Sequence, residues 1–194
     1  MADDISANRK KIIPKITSRV DELLKQLGIS NGIFEVEISK SDDFMITGSD
    51  KVRFLFSANK QAPLQELAKV ASGGEMARLM LSIKATISEV VTLPTIIFDE
   101  IDSGVSGDIA DKMGNVICRM ADYAQVINIT HLPQIASKGK NHFLVYKHDT
   151  AEKTQTSIKQ LKSDERVIEI ARMLSGETLS EAAINNAKTL LGIN

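Results

Sequence analysis

Cysteine is nearly missing from this sequence: Cys118 stands alone among 194 residues. One thiol excludes an internal disulfide, and a reducing compartment is the expected setting. Net charge is nearly missing as well, at −1. That excludes a protein that coats nucleic acid through its overall field, but leaves room for a local basic patch. No apolar run approaches the roughly 18 residues of a membrane-spanning helix. The opening residues MADDISANRKK contain no apolar centre of the kind a secretory signal needs. The expectation is a cytoplasmic protein with no membrane partner. Internal repeats and low-complexity stretches are absent too. His142 and His148 have no Cys/His set around them at metal-ligand spacing, so they carry no metal role.

What is present is the composition of a globular protein, 43% hydrophobic and 25% charged. The length suits one domain with a core, or a domain plus an appendage. Residues 1–30 read as a helix. Ile13, Ile16, Val20, Leu23 and Leu27 fall at alternating spacings of three and four, an a/d seam flanked by charge. Such a seam suits either a helix packed on its own domain or the stub of a longer coiled coil. Pro14 belongs in a first turn, so the regular helix is expected to start near it, and Gly28 stops it. From Gly32 the period switches to two. Strands are expected at 34–38, 44–47 and 51–57, with a turn at Gly48-Ser49-Asp50, giving an antiparallel meander. Residues 58–70 form a connector.

Met76, Leu79, Met80, Ile83, Ile87 and Val90 mark one face of the next helix. TIIFDE (95–100) and QVINIT (125–130) are short apolar runs, the pattern of strands buried on both faces. A helix from Ile109 to Met120 lies between them, with Cys118 expected in the core. A short helix at 132–137, a β-hairpin at 142–147 and 154–161, and helices at 164–174 and 179–191 complete the chain. Strand and helix alternate through the middle, so the class is α/β with a mainly parallel central sheet.

Four stretches carry potential chemistry. Ser72-Gly73-Gly74-Glu75 opens a helix and fits a capping box, in which Ser72 and Glu75 satisfy orphan amides. Capping does not explain the two glycines, which bare the helix N-terminus to an anion. Asp99 and Glu100 end a strand at the sheet edge where α/β proteins bind ligands. Two adjacent carboxylates divide naturally into one that faces a magnesium shell and one that orients or deprotonates a water. Asp102-Ser103-Gly104-Val105-Ser106-Gly107 makes a tight loop into a helix, with Ser106 or Asp108 as its cap. His131 directly follows a strand and reaches the same edge as Glu100.

The order of these pieces is informative. KVASGGE, IIFDEIDSGVSG and ITHLPQ, followed by HFLVYK and ERVIEIARMLSG, resemble the signature motif, Walker B segment, D-loop and switch histidine of ABC-type ATPase heads. They are most similar to the heads of DNA-repair relatives of the SMC proteins. The resemblance runs from about Gly32 to the C-terminus. It implies that residues 31–194 are the C-terminal lobe of a head and residues 1–30 the end of a coiled-coil arm. It implies ATP and Mg²⁺ as cofactors. Asp99 would hold magnesium through its water shell, Glu100 would polarise the attacking water, and His131 would contact the γ-phosphate. Ser72, Gly73 and Gly74, with Glu75 beside them, would meet the γ-phosphate of an ATP held by a second head. Asp102, Ser103 and Gly104 would line the head–head interface. Transporter heads carry leucine before SGG, glutamine after it and aspartate at the end of the D-loop; this chain has Ala71, Glu75 and Ser106 there.

A phosphate-cradling G-x-x-x-x-G-K-[ST] loop is missing. In the resembled family that grip lies in an N-terminal lobe, which becomes an implied partner, together with a second copy of the head and DNA. The expectation is therefore half of an ATPase head acting in double-strand break repair and recombination, nucleoid-associated, and inactive alone. Two other readings use the same residues. Asp99, Glu100 and Asp102 could form the two-metal cluster of a nuclease or phosphatase, or the chain could be a non-catalytic coiled-coil interaction module.

Overall fold

The computed structural model describes residues 1–70, 73–91, 93–149 and 153–193. The first helix, α1 (Ala2–Gln26), contains Pro14 in its interior, whereas the sequence points to a start near Pro14. Distant contacts account for the difference. Ser6 Oγ donates to Asp50 Oδ1 at 2.9 Å, Arg9 Nη1 donates to Asp50 Oδ2 at 2.9 Å, and Arg9 Nη2 donates to the Thr47 carbonyl at 2.7 Å. These bonds hold the turns upstream of a proline whose helical cost is about 3 kcal/mol.

Asp50 lies on a hairpin. Strand β1 (Ile33–Met45) pairs antiparallel with β2 (Gly48–Ser57), from Ile33↔Ser57 to Met45↔Gly48, with a register shift between Lys40 and Met45. The two strands expected at 34–38 and 44–47 are thus one irregular strand. The turn falls at Ile46-Thr47, and Gly48, Ser49 and Asp50 belong to β2. A short β3 (Gln65–Glu66) adds to β2 and completes the three-stranded antiparallel sheet. It lies in the stretch expected to be a plain connector, as does a 3-10 turn at Leu67–Lys69.

Helix α2 (Gly73–Ser88) buries two faces rather than the one its periodicity suggests. Leu79, with Met76 and Ile83, packs into a core with Val20, Leu24, Ile29, Phe34 and Phe56. Leu81 and Ala85 pack into a second core, while Ile87 is 42% exposed. Helix α1 is split the same way, with Val20 and Leu24 in the first core and Leu23 in the second, joined there by Leu27 just past the helix end. The two helices are a shared wall, so a single stripe cannot describe either.

Beyond that wall lie β4 (Thr95–Asp99), α3 (Gly107–Met120) and β5 (Gln125–Ile129). Strands β4 and β5 run parallel, in register from Thr95↔Gln125 to Asp99↔Ile129. Ile96 and Phe98 face the second core with Ala110, Met113, Val116, Ile117 and Met120 of α3. The opposite face is bare. Ile97 is 63% exposed, Ile129 51% and Ile127 45%. The expected burial on both faces is therefore one-sided among the described residues. Cys118 is exposed, not in the core, because α3 turns Met113, Ile117 and Met120 inward and Cys118 away.

The remainder is α4 (Pro133–Ala136), the antiparallel hairpin β6 (Phe143–Asp149) with β7 (Thr154–Gln160), α5 (Ser163–Ser175) and α6 (Glu181–Leu191). Helices α5 and α6 form a third cluster through Ile170, Ala171, Ala183 and Ala187, against Ala136. The class is α/β, with a parallel sheet, an antiparallel meander and an N-terminal helix.

Candidate functional site

The parallel pairing of β4 and β5 decides which residues meet. Both strands end at the same edge, since Asp99 pairs with Ile129. The ladder extends one step further, because the Glu100 amide donates to the Ile129 carbonyl at 3.1 Å. Asp99, Glu100 and His131 are thereby gathered at one edge, all three exposed. Among the described residues, none of the three makes a side-chain hydrogen bond or ion pair. Free, wet carboxylates at a strand edge suit an incoming cation or water rather than an internal structural role.

Glu100 is the one described non-glycine residue with positive φ, at 46°. A side chain in left-handed backbone costs roughly 1–2 kcal/mol, so the turn must be held from outside. Its carbonyl accepts from the Ser103 amide at 3.1 Å and from Ser103 Oγ at 2.9 Å, and the Val105 amide donates to the Asp102 carbonyl at 3.1 Å. Gly104 (φ 75°) and Gly107 (φ 56°) supply the left-handed turns that lead into α3. Ser106 occupies the N-cap position of α3 without a side-chain capping bond, and Asp108 pairs with Lys112.

Helix α2 begins against this loop. A Cβ added at Gly74 would lie 3.4 Å from the Ser103 carbonyl oxygen, and one at Gly73 would meet nothing within 4 Å. The first glycine keeps an open approach to the helix N-terminus, and the second permits close packing on the loop. Glu75 is half-buried in the same turn. Ser72, the other half of the expected capping box, lies outside the described residues.

Asp102 differs from its loop neighbours. Ser103 and Gly104 are exposed, as an interface position would be, but the Asp102 carboxylate has no solvent exposure. Thr130 Oγ1 donates to Asp102 Oδ2, and Oδ1 has no partner. The two-metal reading needs Asp102 beside Asp99 and Glu100, and its carboxylate is instead turned inward. No group of three His, Cys, Asp or Glu is placed to hold a metal among the described residues. Magnesium held by one or two carboxylates together with substrate phosphates needs no such cage, and Asp99 fits that limited role.

Sequence reasoning passed over Thr130. The signal was present: Val126 and Asn128 share one face of β5, Thr130 follows in the same phase just past its end, and two of those three positions are polar. Asn128 is half-buried, and its two side-chain polar atoms are out of solvent with no partner.

No protein-family model matches the chain. A protein named DNA repair protein RecN from Rickettsia felis is 38% identical over 191 residues, covering 98% of this chain and 35% of its own length. Its namesake from Vibrio cholerae is 36% identical over 191 residues, with 98% and 34% covered. That from Treponema pallidum is 37% identical over 193 residues, with 96% and 34% covered. The chain thus spans about a third of the length of the curated relatives it matches. Among solved structures, an Smc head domain with coiled coil and joint from Pyrococcus yayanosii superposes with a TM-score of 0.67 at 17% identity, over 89% of this chain and 32% of that one. A structure from work on ATP-driven dimerization and DNA-stimulated activation of SMC ATPases gives 0.56 at 14%, over 87% and 96%. The fold is that of an SMC head.

Proposed function

We propose, from the premise that this chain is a homologue of part of the DNA repair protein RecN, that it is the C-terminal lobe of an SMC-like ATPase head acting in double-strand break repair and recombination. The observation that carries the reading is the shared edge: Asp99, Glu100 and His131 emerge together, free of other side chains, beside the glycine-opened start of α2. Glu100 polarises the water that attacks the γ-phosphate. His131 donates to a γ-phosphate oxygen as charge develops on it. Asp99 would face the magnesium that accompanies the nucleotide, through that ion's water shell, and the ion would supply charge neutralisation there. Ser72, Gly73 and Gly74, with Glu75, serve an ATP held by a second head, and Ser103 and Gly104 line the junction between the heads.

Two further features support a divided head. The chain lacks a phosphate-cradling loop, and Ile97, Ile127 and Ile129 leave one sheet face uncovered. An N-terminal lobe carrying the phosphate grip answers both needs. Residues 1–30 then form the end of a coiled-coil arm, ATP joins two heads, and hydrolysis releases them from each other, which couples nucleotide state to DNA engagement in the nucleoid.

A fluorescent ATP analogue titrated with Mg²⁺ into the chain alone is expected to show no saturable binding. In the complete protein, Glu100→Gln is expected to abolish turnover while ATP binding persists. Tight binding to the isolated chain, or turnover indifferent to Glu100→Gln, would overturn the reading.

A further inference from the structure

A carboxylate without solvent exposure is rare, because taking the charge out of water costs several kcal/mol unless a partner compensates. Asp102 is such a group, at 0% exposure. Among the described residues no cation pairs with it. Its side chain has one bond, from the Thr130 hydroxyl, and its second oxygen has none. An apolar residue of similar size would fill the space at lower cost, as Val105 does in the same loop. Packing therefore does not account for an aspartate here.

Its connections do. Asp102 sits two positions after Glu100, and Thr130 immediately precedes His131. The Thr130 oxygen works in both directions: it donates to Asp102 and accepts from the Leu132 amide at 2.9 Å. The backbone on both sides of His131 is thus tied to one hydroxyl, and that hydroxyl is tied to the loop that carries Glu100. The same loop holds the Glu100 carbonyl through Ser103, whose own carbonyl backs Gly74. Two loops that leave separate strands become one unit through a single buried bond.

We propose that Asp102 and Thr130 are positioning residues that latch the His131 loop to the Glu100 loop, so that the imidazole meets the phosphate that the carboxylate-held water attacks. This rests on the ATPase reading above. Asp102 then acts through Thr130 inside the lobe, rather than by touching a second head.

The test uses the complete protein for turnover and this chain for spectroscopy. Thr130→Val keeps the shape and removes the hydroxyl. It is expected to lower kcat at least tenfold, with KM for ATP changed less than about twofold, and Thr130→Ser is expected to restore most of the loss. Asp102→Leu is expected to behave like Thr130→Val, and the double variant to lose no more than either single one, because both break one interaction. In this chain, Thr130→Val is expected to shift the imidazole NMR signals of His131 and leave those of His142 and His148 in place. Turnover equal to wild type in Thr130→Val, additive losses in the double variant, or unmoved His131 signals would each overturn the latch. Wild-type turnover that ignores Glu100→Gln would sink the ATPase reading instead, and the His131 signals would still judge the latch.

Discussion

Glu100 is costly where it stands. Its backbone is left-handed at φ 46°, a region that glycine enters freely and glutamate does not. The Ser103 bonds to its carbonyl and the bond from its amide to Ile129 hold it there. Glu100→Gly is therefore expected to raise the unfolding free energy of the chain by about 0.5–1 kcal/mol, the strain relieved less the entropy glycine loses on folding. Urea unfolding measures it, and an unchanged or lower midpoint would mean that the turn carries no strain. The place of the carboxylate pair at a strand end was legible from sequence, because an apolar run passes directly into two acids. The strain was not, because periodicity says nothing of φ at a strand end. Thr130 was half legible: its phase with Val126 marks it as inward, but its partner Asp102 is 28 residues away.

At the scale of elements, the sequence showed helices and strands by period and erred where distant residues intervene. Pro14 looks like a helix start until Arg9 is seen bound to Asp50, 41 residues on. The single stripe on α2 fails because that helix touches two cores. The anchor on α1 has a pH signature. The hydrogen bond from Arg9, ahead of that from Ser6, holds the Asp50 carboxyl below its ordinary value despite its burial. A depressed carboxyl contributes stability that is complete above its unfolded value, about 4, and that fades as pH falls through the folded value. The stability gap between the chain and its Arg9→Ala variant is expected to be constant near neutral pH and to shrink below about pH 4. Unfolding midpoints collected from pH 2 to pH 7 would show it; a gap that widened in acid would refute the assignment.

Among the described residues, the parallel sheet is well covered on one side and open on the other. Helices α1, α2 and α3 shield Ile96 and Phe98, while Ile97, Ile127 and Ile129 meet solvent. Periodicity could not reveal this, since an unbroken apolar run looks the same whether its second cover lies in the same chain or elsewhere. Contiguous apolar surface of this kind drives association. The isolated chain is expected to self-associate with rising concentration in sedimentation velocity, and Ile127→Lys to raise the monomer fraction severalfold without lowering the unfolding midpoint. A wild-type chain that stays monomeric would show that the face needs no cover. For a cell the same three isoleucines act as a clock. A lobe that shows them resembles a folding intermediate to chaperones and proteases, which triage chains by exposed apolar surface. How long such a face lasts in a cell then depends on how soon another layer closes over the sheet.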